Sequence, residues 1–218
     1  MRRFFSHSIP YTPWRASHQW QLSPSRSLIL TIGLVIFGIG DGLLIVSHLG
    51  NAPWSVLAQG LSLRLGIAIG WATFLVSTAV LLLWIPFKQR PGVGTVANIL
   101  VIAIAIDLTV AWTPVPANLG LRIALVLLGI ALVGGGSALY LTCGLGPGPR
   151  DGLMTAIHYS SGLSVARVRA SIEGSVLALG WLLGGRVGFG TLAFALGIGA
   201  SIALWLTLLG HLIRNTPQ

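Results

Sequence analysis

The sequence predicts an all-α membrane protein with about six transmembrane helices in two three-span inverted repeats, each with a short interfacial or re-entrant helix. Three observations lead to this prediction: the composition, a series of long apolar runs and an ungapped internal repeat. Of the 218 residues, 54% are hydrophobic and only 8% are charged. A soluble domain carries about a quarter charged residues, so most of this surface is not made for water.

Six apolar runs have the length that crosses a bilayer, which is roughly 17–25 residues. In hydrocarbon each backbone N–H and C=O must find a partner within its own segment, so the runs are predicted to be helices. They cover about 28–47, 71–87, 93–112, 122–143, 168–184 and 189–209. They divide the chain into a cytoplasmic N-terminal tail (1–27), a first transmembrane repeat (28–112), a connector (113–120), a second transmembrane repeat (121–210) and a cytoplasmic C-terminus (211–218).

The distribution of basic residues predicts the orientation. With the N-terminus in the cytoplasm, ten Lys and Arg residues fall in inner segments and three, Arg64, Arg122 and Arg186, fall in outer segments. The positive-inside rule expects this asymmetry, and it places both termini in the cytoplasm. The net charge of +9 is scattered over loop ends, whereas a nucleic-acid-binding strip would cluster on one element. We therefore expect no nucleic-acid partner.

No motif in the sequence indicates catalysis or a cofactor. The single cysteine, Cys143, cannot form an internal disulfide, and no Cys or His spacing suggests a metal site. No Gly-rich phosphate loop and no nucleophile motif occur. The Gly-rich runs lie inside apolar spans, where small residues let helices approach closely. We expect neither an enzyme nor a bound cofactor or metal.

The two halves of the chain repeat each other at a spacing of 96 residues. Each half holds three spans, so the second copy enters the membrane from the opposite side, as in many secondary transporters. Four glycines in this frame are predicted to lie at equivalent helix crossings between the halves. The matched residues are Gly38 and Gly40 with Gly134 and Gly136, Pro53 with Pro149, and Gly94 and Thr95 with Gly190 and Thr191.

A shorter element, 53–66 and 149–162, follows the first span of each half. Proline suits the first position of a helix and glycine suits the residue after its end. About thirteen residues at 1.5 Å each reach roughly 20 Å, which is too short to cross the hydrocarbon core. Each element is therefore predicted to be an interfacial or re-entrant helix.

Polar residues keep helical spacing along the second short element, at Asp151, Thr155 and His158. Two interpretations of Asp151 remain open. In the first, Asp151 is the third residue of the helix, held by free N–H groups and the positive end of the helix dipole; Arg150 is then an anchor at the inner surface. In the second, the stripe lines a pathway, and Asp151 and His158 exchange protons or meet a cation.

The other three carboxylates, Asp41, Asp107 and Glu173, lie near the ends of apolar runs. A charge at the centre of a bilayer costs roughly 2.5–3.5 kcal/mol on insertion scales, so intramembrane acids indicate function. Glu173 has Arg169 four residues before it on the same helix face, and a structural ion pair is the alternative there. The 96-residue shift carries Asp41 onto Ser137, so the two halves share a spacing of matched residues but not their charges.

Several strings together resemble one family. GLGPGPRDGLM, followed by VARVRASIEGSVLALGWLLGGRVGFGT, is similar to the YczE/YitT-like bacterial integral membrane proteins, as are LGNAPWSVLAQGL and GVGTVANILVIAIAID. The resemblance covers about 29–209 and implies a multi-pass protein of the bacterial plasma (inner) membrane, with transport suggested. Where the family often has Asp after Pro-Trp, this chain has Ser55, so that carboxylate's role does not carry over. The marked residues here are Pro53, Trp54, Gly94, Thr95, Asp107, Pro149, Arg150, Asp151, Gly152, Arg169, Glu173, Gly190 and Thr191.

Two classes of function follow from these observations. The first is a secondary transporter or exporter of an unidentified small molecule, with proton coupling as one form of it. The alternative is a membrane-embedded accessory or regulatory protein that acts by contact and transports nothing. Apart from the lipid bilayer and the substrate, a second copy of the chain could be a partner. The candidate pathway residues are Asp41, Asp107, Arg150, Asp151, Thr155, His158, Arg169 and Glu173.

Overall fold

The structure is a computed structural model that describes residues 10–214, and this part of the chain contains helices and no strand. The all-α prediction is therefore confirmed for the described residues. The helices are α1 (Pro24–Ser47), α2 (Pro53–Leu65), α3 (Ile69–Leu82), α4 (Val93–Trp112), α5 (Leu119–Cys143), α6 (Pro149–Ser161), α7 (Val165–Leu182) and α8 (Phe189–Arg214), with a 3-10 turn at Ile85–Phe87.

Five helical segments are long and apolar enough to cross a membrane, and they match five of the six predicted runs. The remaining run, 168–184, lies on α7, which carries Arg167, Arg169 and Glu173 within its 18 residues. These charges leave α7 without an apolar stretch of the required length, so length and composition support five spans. The five segments are Pro24–Ser47, Ile69–Phe87, Val93–Trp112, Leu119–Cys143 and Phe189–Ile213.

The two short helices begin and end where local chain chemistry predicts. Pro53 and Pro149 occupy the first helical positions of α2 and α6, and each helix has 13 residues. Gly66 and Gly162 follow the last residues with φ of 65° and 71°. A side chain is strained at such angles, so glycine ends both helices at equivalent points 96 residues apart.

Helices α1 and α5 pack against each other at the centre of the molecule. A Cβ on Gly40 would lie 2.7 Å from the carbonyl oxygen of Gly129, and a Cβ on Gly136 would meet the carbonyl oxygen of Gly33. No larger residue permits this approach of the two backbones. The predicted position of Gly40 and Gly136 between the halves is confirmed.

The same prediction is wrong for Gly38 and Gly134. Gly38 packs against Ala105 of α4, and Gly134 packs against Ser201 of α8. Positions two residues apart lie on nearly opposite faces of a helix, so these glycines face a helix of their own half. The two crossings are nevertheless equivalent, because Ala105 and Ser201 are also 96 residues apart.

The connection after each first span reaches into the other half. Gly94 N, at the start of α4, donates to Leu145 O at 2.8 Å. Gly190 N, at the start of α8, donates to Leu49 O at the same distance of 2.8 Å. These two bonds exchange under the 96-residue shift, and they tie the two halves into one body.

Residues 10–23 of the predicted N-terminal tail (1–27) pack against the end of α5. Thr12 Oγ1 donates to the backbone oxygen of Thr142 at 3.1 Å, and Ala16 N donates to the backbone oxygen of Cys143 at 2.8 Å. Helix α1 then begins at Pro24, before the predicted apolar run, because Ser23 caps it. This segment therefore covers one end of the central helix pair.

Candidate functional site

A cavity of about 370 Å³ lies among the helices of the second half. Most of its wall comes from α5, α6, α7 and α8. It forms there because α7 and α8 make little contact, whereas the corresponding α3 and α4 pack together. Four of the eight predicted pathway residues line it: Arg150, Asp151, Arg169 and Glu173.

Arg150 is the cation at the centre of the charged part of this cavity. It is the second residue of α6, and its guanidinium carbon lies 5.2 Å from the centre of the Trp54 ring. It interacts electrostatically with Asp41, Asp151 and Glu173, but within residues 10–214 it forms no ion pair with them at 4 Å or less. The structure thus places Arg150 in the cavity wall.

Asp151 is the third residue of α6, as predicted, but its carboxylate does not cap the helix. Its Oδ2 accepts a hydrogen bond from Tyr140 Oη of α5 at 2.6 Å. The N-terminus of α6, at Gly148, has no side-chain capping bond. The carboxylate is therefore directed at another helix across the cavity wall, which disfavours the purely local interpretation of Asp151.

Arg169 and Glu173 form the ion pair that their spacing predicts, with Arg169 Nε 2.9 Å from Glu173 Oε1. Both side chains are partly exposed, at 46% and 32%. An exposed helical pair of this kind stabilises the fold by only about 0.3–0.5 kcal/mol. The pair nevertheless neutralises its own two charges where it borders the cavity.

Asp41 lies next to this cavity but is closed off from it. It is 1% exposed, and both of its oxygens lie within hydrogen-bond distance of Ser55 Oγ, at 2.8 and 2.7 Å. A hydroxyl has one proton to donate, so Ser55 serves one oxygen at a time. Within residues 10–214, Ser55 is the one side-chain hydrogen-bond donor to this carboxyl, and Arg150 is a more distant cation.

The Asp41–Ser55 contact has a counterpart in the other half with the residue types exchanged. The 96-residue shift carries Asp41 onto Ser137 and Ser55 onto Asp151. Ser137 and Asp151 both line the cavity. Asp151 accepts its hydrogen bond from Tyr140 and not from Ser137. One hydroxyl–carboxyl pair is therefore in contact, while the two residues of the equivalent pair line the cavity and form no hydrogen bond with each other in the described part of the chain.

The remaining predicted pathway residues lie outside the cavity. Thr155 Oγ1 donates to the backbone oxygen of Asp151 at 2.8 Å, and the His158 ring contacts the backbone oxygen of Leu163 at the end of α6. Asp107 Oδ1 accepts from Gly70 N at 3.1 Å and so caps the start of α3. The predicted polar stripe on α6 therefore reaches the cavity only through Asp151.

The short helices are held in place by the repeat motif, which comprises Pro53, Trp54, Gly94, Thr95, Pro149, Gly190 and Thr191. Trp84 Nε1 donates to Pro149 O at 2.9 Å, and its ring covers Gly152, where any Cβ would collide with it. Thr95 Oγ1 donates to Pro147 O at 2.7 Å. These bonds fix the loop and the first turn of α6, which carries Arg150 and Asp151.

In the first half the motif acts in a related way. Thr191 Oγ1 accepts from Gly188 N at 3.3 Å, and Gly50 packs on Gly188 and Thr191. Pro53 and Trp54 are buried at the start of α2. Trp54 also forms the aromatic surface beneath Arg150, so this motif residue belongs to the site itself.

Comparison with known proteins identifies the family. The chain matches the model of a family of unknown function (DUF6198) over residues 24–207. It belongs to this family. No solved structure matches it.

Three relatives accompany the DUF6198 match. The chain is 47% identical over 204 residues to an uncharacterized protein of Haemophilus influenzae, covering 94% of each chain. It is 32% identical over 166 residues to the uncharacterized membrane protein YczE of Bacillus subtilis, covering 75% of this chain and 77% of that one. It is 29% identical over 168 residues to the uncharacterized protein YyaS of the same organism, covering 74% and 82%. The resemblance to YczE-like proteins is confirmed, and together with the apolar helices it indicates a membrane protein.

Sequence reasoning did not find Tyr140, Ser137 or Asn98 as cavity residues of this DUF6198 chain. Ser137 had a usable signal, because it is the repeat equivalent of the buried Asp41. Tyr140 had a weaker one, since it is a hydroxyl-bearing aromatic residue within an apolar span. Nothing in the sequence pattern marks Asn98, which reaches the cavity through the packing of α4.

Proposed function

We propose that this DUF6198 chain is a proton-coupled secondary transporter or exporter of a small molecule, working by alternating access between two inverted halves. The equivalent bounds of α2 and α6 and the exchanged loop bonds support the repeat. Two halves built on one frame can adopt two states that differ in which half is open. The cavity in the second half is the candidate substrate site of one such state.

In this proposal α7 is the sixth span. Its 18 residues reach roughly 27 Å at 1.5 Å per residue, which is close to the roughly 30 Å of hydrocarbon. Its charged residues, Arg167, Arg169 and Glu173, all lie toward its first end, where long side chains can reach the interface. The short helices α2 and α6 are re-entrant, and both termini lie in the cytoplasm of a bacterial cell.

The observation that carries the proposal is the exchanged hydroxyl–carboxyl pair. Asp41 and Ser55 are in contact, whereas Asp151 and Ser137 both face the cavity. If the halves exchange conformations, the second pair closes and the first opens. The carboxyl of the pair lies on α1 in the first half and on α6 in the second half. Each state therefore buries one carboxyl and exposes the other.

Burial also supplies a reason for proton coupling. A carboxylate closed away from water is costly unless it is paired or takes up a proton. Asp41 has one neutral donor in Ser55, so a proton neutralises it at little structural cost. Asp151 faces an open cavity, where water or a substrate can exchange with it.

Transport can be tested in proteoliposomes that contain a trapped pH-sensitive dye. We expect that one or more members of a panel of amino acids and small organic acids cause proton movement through the wild-type protein, and that collapse of the pH gradient slows solute uptake. Asp41→Asn and Asp151→Asn should each lower solute-driven proton flux at least about tenfold, because each removes one exchangeable proton.

Arg167→Gln is the matched control, because Arg167 is exposed on α7 and does not line the cavity. Uptake at an unchanged rate with the pH gradient collapsed would contradict proton coupling. No flux with any solute, together with a stable complex between the protein and a second membrane protein, would favour the accessory function.

A further inference from the structure

We infer that the cavity binds a small zwitterion with an apolar side chain, in which Arg150 holds the carboxylate and Asp151 holds the ammonium group. This inference rests on the proposed function, since it names the substrate class of the same site. Its argument comes from the balance of charges, the unused hydrogen-bonding groups and the apolar remainder of the wall.

The charges of the cavity wall sum to zero. Arg169 and Glu173 pair with each other at 2.9 Å, which leaves Arg150 and Asp151 as one cation and one anion. An anionic ligand on Arg150 would meet Asp151, and a cationic ligand on Asp151 would meet Arg150. A ligand that carries both charges avoids both repulsions.

Arg150 has donors to spare. Its guanidinium presents five N–H groups in a planar fork, and within the described residues it has a contact to the face of Trp54 but no hydrogen bond of its own. The fork matches the two oxygens of a carboxylate, and the pair of bonds is stronger than one between neutral groups. The first turn of α6 lies beside it without a side-chain cap, and its free N–H groups favour the same negative group.

Asp151 has an acceptor to spare. Its Oδ2 receives the Tyr140 hydroxyl at 2.6 Å, and no hydrogen bond to Oδ1 occurs within the described part of the chain. The bond from Tyr140 fixes the carboxylate of Asp151, which directly follows Arg150 in the first turn of α6. In an α-amino acid the ammonium and carboxylate groups are attached to one carbon, which matches binding groups on adjacent residues.

The rest of the wall is mainly apolar, which selects the side chain of the ligand. It includes Phe37, Ile102, Val133, Met154, Phe194 and Ile198. A volume of about 370 Å³ is at the small end of ligand pockets, which span about 300–1,000 Å³. A single amino acid with an aliphatic side chain fits within this volume and suits this surface.

Binding to the full chain in lipid nanodiscs, measured by calorimetry, tests the inference. Leucine is compared with 4-methylpentanoate, which lacks the ammonium group, with 3-methylbutylamine, which lacks the carboxylate, and with leucinamide. We expect leucine to bind at least about tenfold more tightly than each analogue, because each analogue leaves one charged group of the site without a partner.

Two substitutions separate the two roles. Arg150→Gln should weaken leucine binding about 10- to 100-fold and abolish the difference between leucine and 3-methylbutylamine. Asp151→Asn should abolish the difference between leucine and 4-methylpentanoate, while Arg167→Gln should leave every affinity unchanged. Each variant is checked for an unchanged melting temperature, so that loss of the fold is recognised.

The outcomes distinguish this inference from the proposed function. Equal binding of leucine and 4-methylpentanoate by the wild type would replace the zwitterion by an anion and overturn the inference. No binding of any of the four compounds by the folded protein would also overturn it, while flux of another solute would leave transport intact. Leucine binding without any flux would support the inference and count against transport.

Discussion

Removal of the Ser55 hydroxyl tests the closed half of the exchanged pair. Ser55→Ala leaves the buried carboxyl of Asp41 without the only side-chain donor that the described structure gives it. A buried polar group that loses its partner costs about 1–3 kcal/mol. Taking about 2 kcal/mol, and about 2–4 °C per kcal/mol for a chain of this size, we expect the melting temperature to fall by about 4–8 °C.

The reciprocal exchange gives the sharper test. Asp41→Ser combined with Ser55→Asp restores one hydroxyl and one carboxyl in the same contact, with the residue types arranged as in the other half. Ser55→Asp alone places two carboxyl groups within hydrogen-bond distance of each other. It should be the least stable variant, because both groups cannot be ionised there. The double variant should recover to within about 2 °C of the wild type, since its contact is again satisfied.

Thermal unfolding in detergent, followed by the fluorescence of the eight tryptophans, measures Ser55→Ala and the four proteins of the exchange cycle, which are the wild type, Asp41→Ser, Ser55→Asp and the double variant. Gly174→Ala serves as a neutral reference, because nothing lies within 4 Å of a Cβ at that position. A shift below about 1 °C for Ser55→Ala, or additive effects of the two exchanges, would refute the reasoning. In that case Asp41 would depend on Arg150 or water in place of Ser55.

Three further predictions follow from the same geometry. Gly152→Ala should reduce the folded yield sharply, because its Cβ would collide with the Trp84 ring, whereas Gly174→Ala should be neutral or stabilise α7 by up to about 1 kcal/mol; yields of monodisperse protein compare the two. Asp151→Asn should keep the melting temperature within about 2 °C and abolish solute-driven proton flux, since its carboxylate does not cap α6; wild-type flux in that variant would end its functional assignment. A cysteine at Lys88 should react with an impermeant maleimide only after the cells are opened, and labelling of intact cells would reverse the orientation.

Local chain chemistry made much of the fold predictable. The ends of α2 and α6 followed from proline at the first position and glycine after the last, because these residues restrict or extend φ whatever surrounds them. Apolar runs gave the long helices because hydrocarbon leaves the backbone no other partner. Length and composition alone do not support the fifth run, 168–184, as a span, because α7 carries three charged residues. Helix α1 begins before the predicted run because Ser23 and Pro24 lie outside the apolar window.

Contacts between helices were the part that sequence could not provide. The spacing of Arg169 and Glu173 predicted their ion pair, since both lie on one helix. The bond from Tyr140 to Asp151 joins two helices, and Arg150 meets Trp54 of the other half. Such pairs depend on how the helices pack. The sequence therefore predicted the position of Asp151 in the first turn of α6 but not its partner, Tyr140.

The exchanged pair also limits how protons can be coupled to transport. In the proposed cycle one carboxyl is buried in each state, and a buried carboxyl holds its proton more tightly than one that faces water. If both acids took up and released protons at every exchange, a complete cycle would move no net proton. Net coupling needs a ligand that replaces the proton on one acid, and an ammonium group on Asp151 does this.

We therefore expect one proton per zwitterion, measured as the ratio of dye-detected proton flux to labelled leucine flux. A ratio near zero would show that Asp41 and Asp151 both change protonation independently of the ligand, and the exchange of the pair could not then be the coupling step.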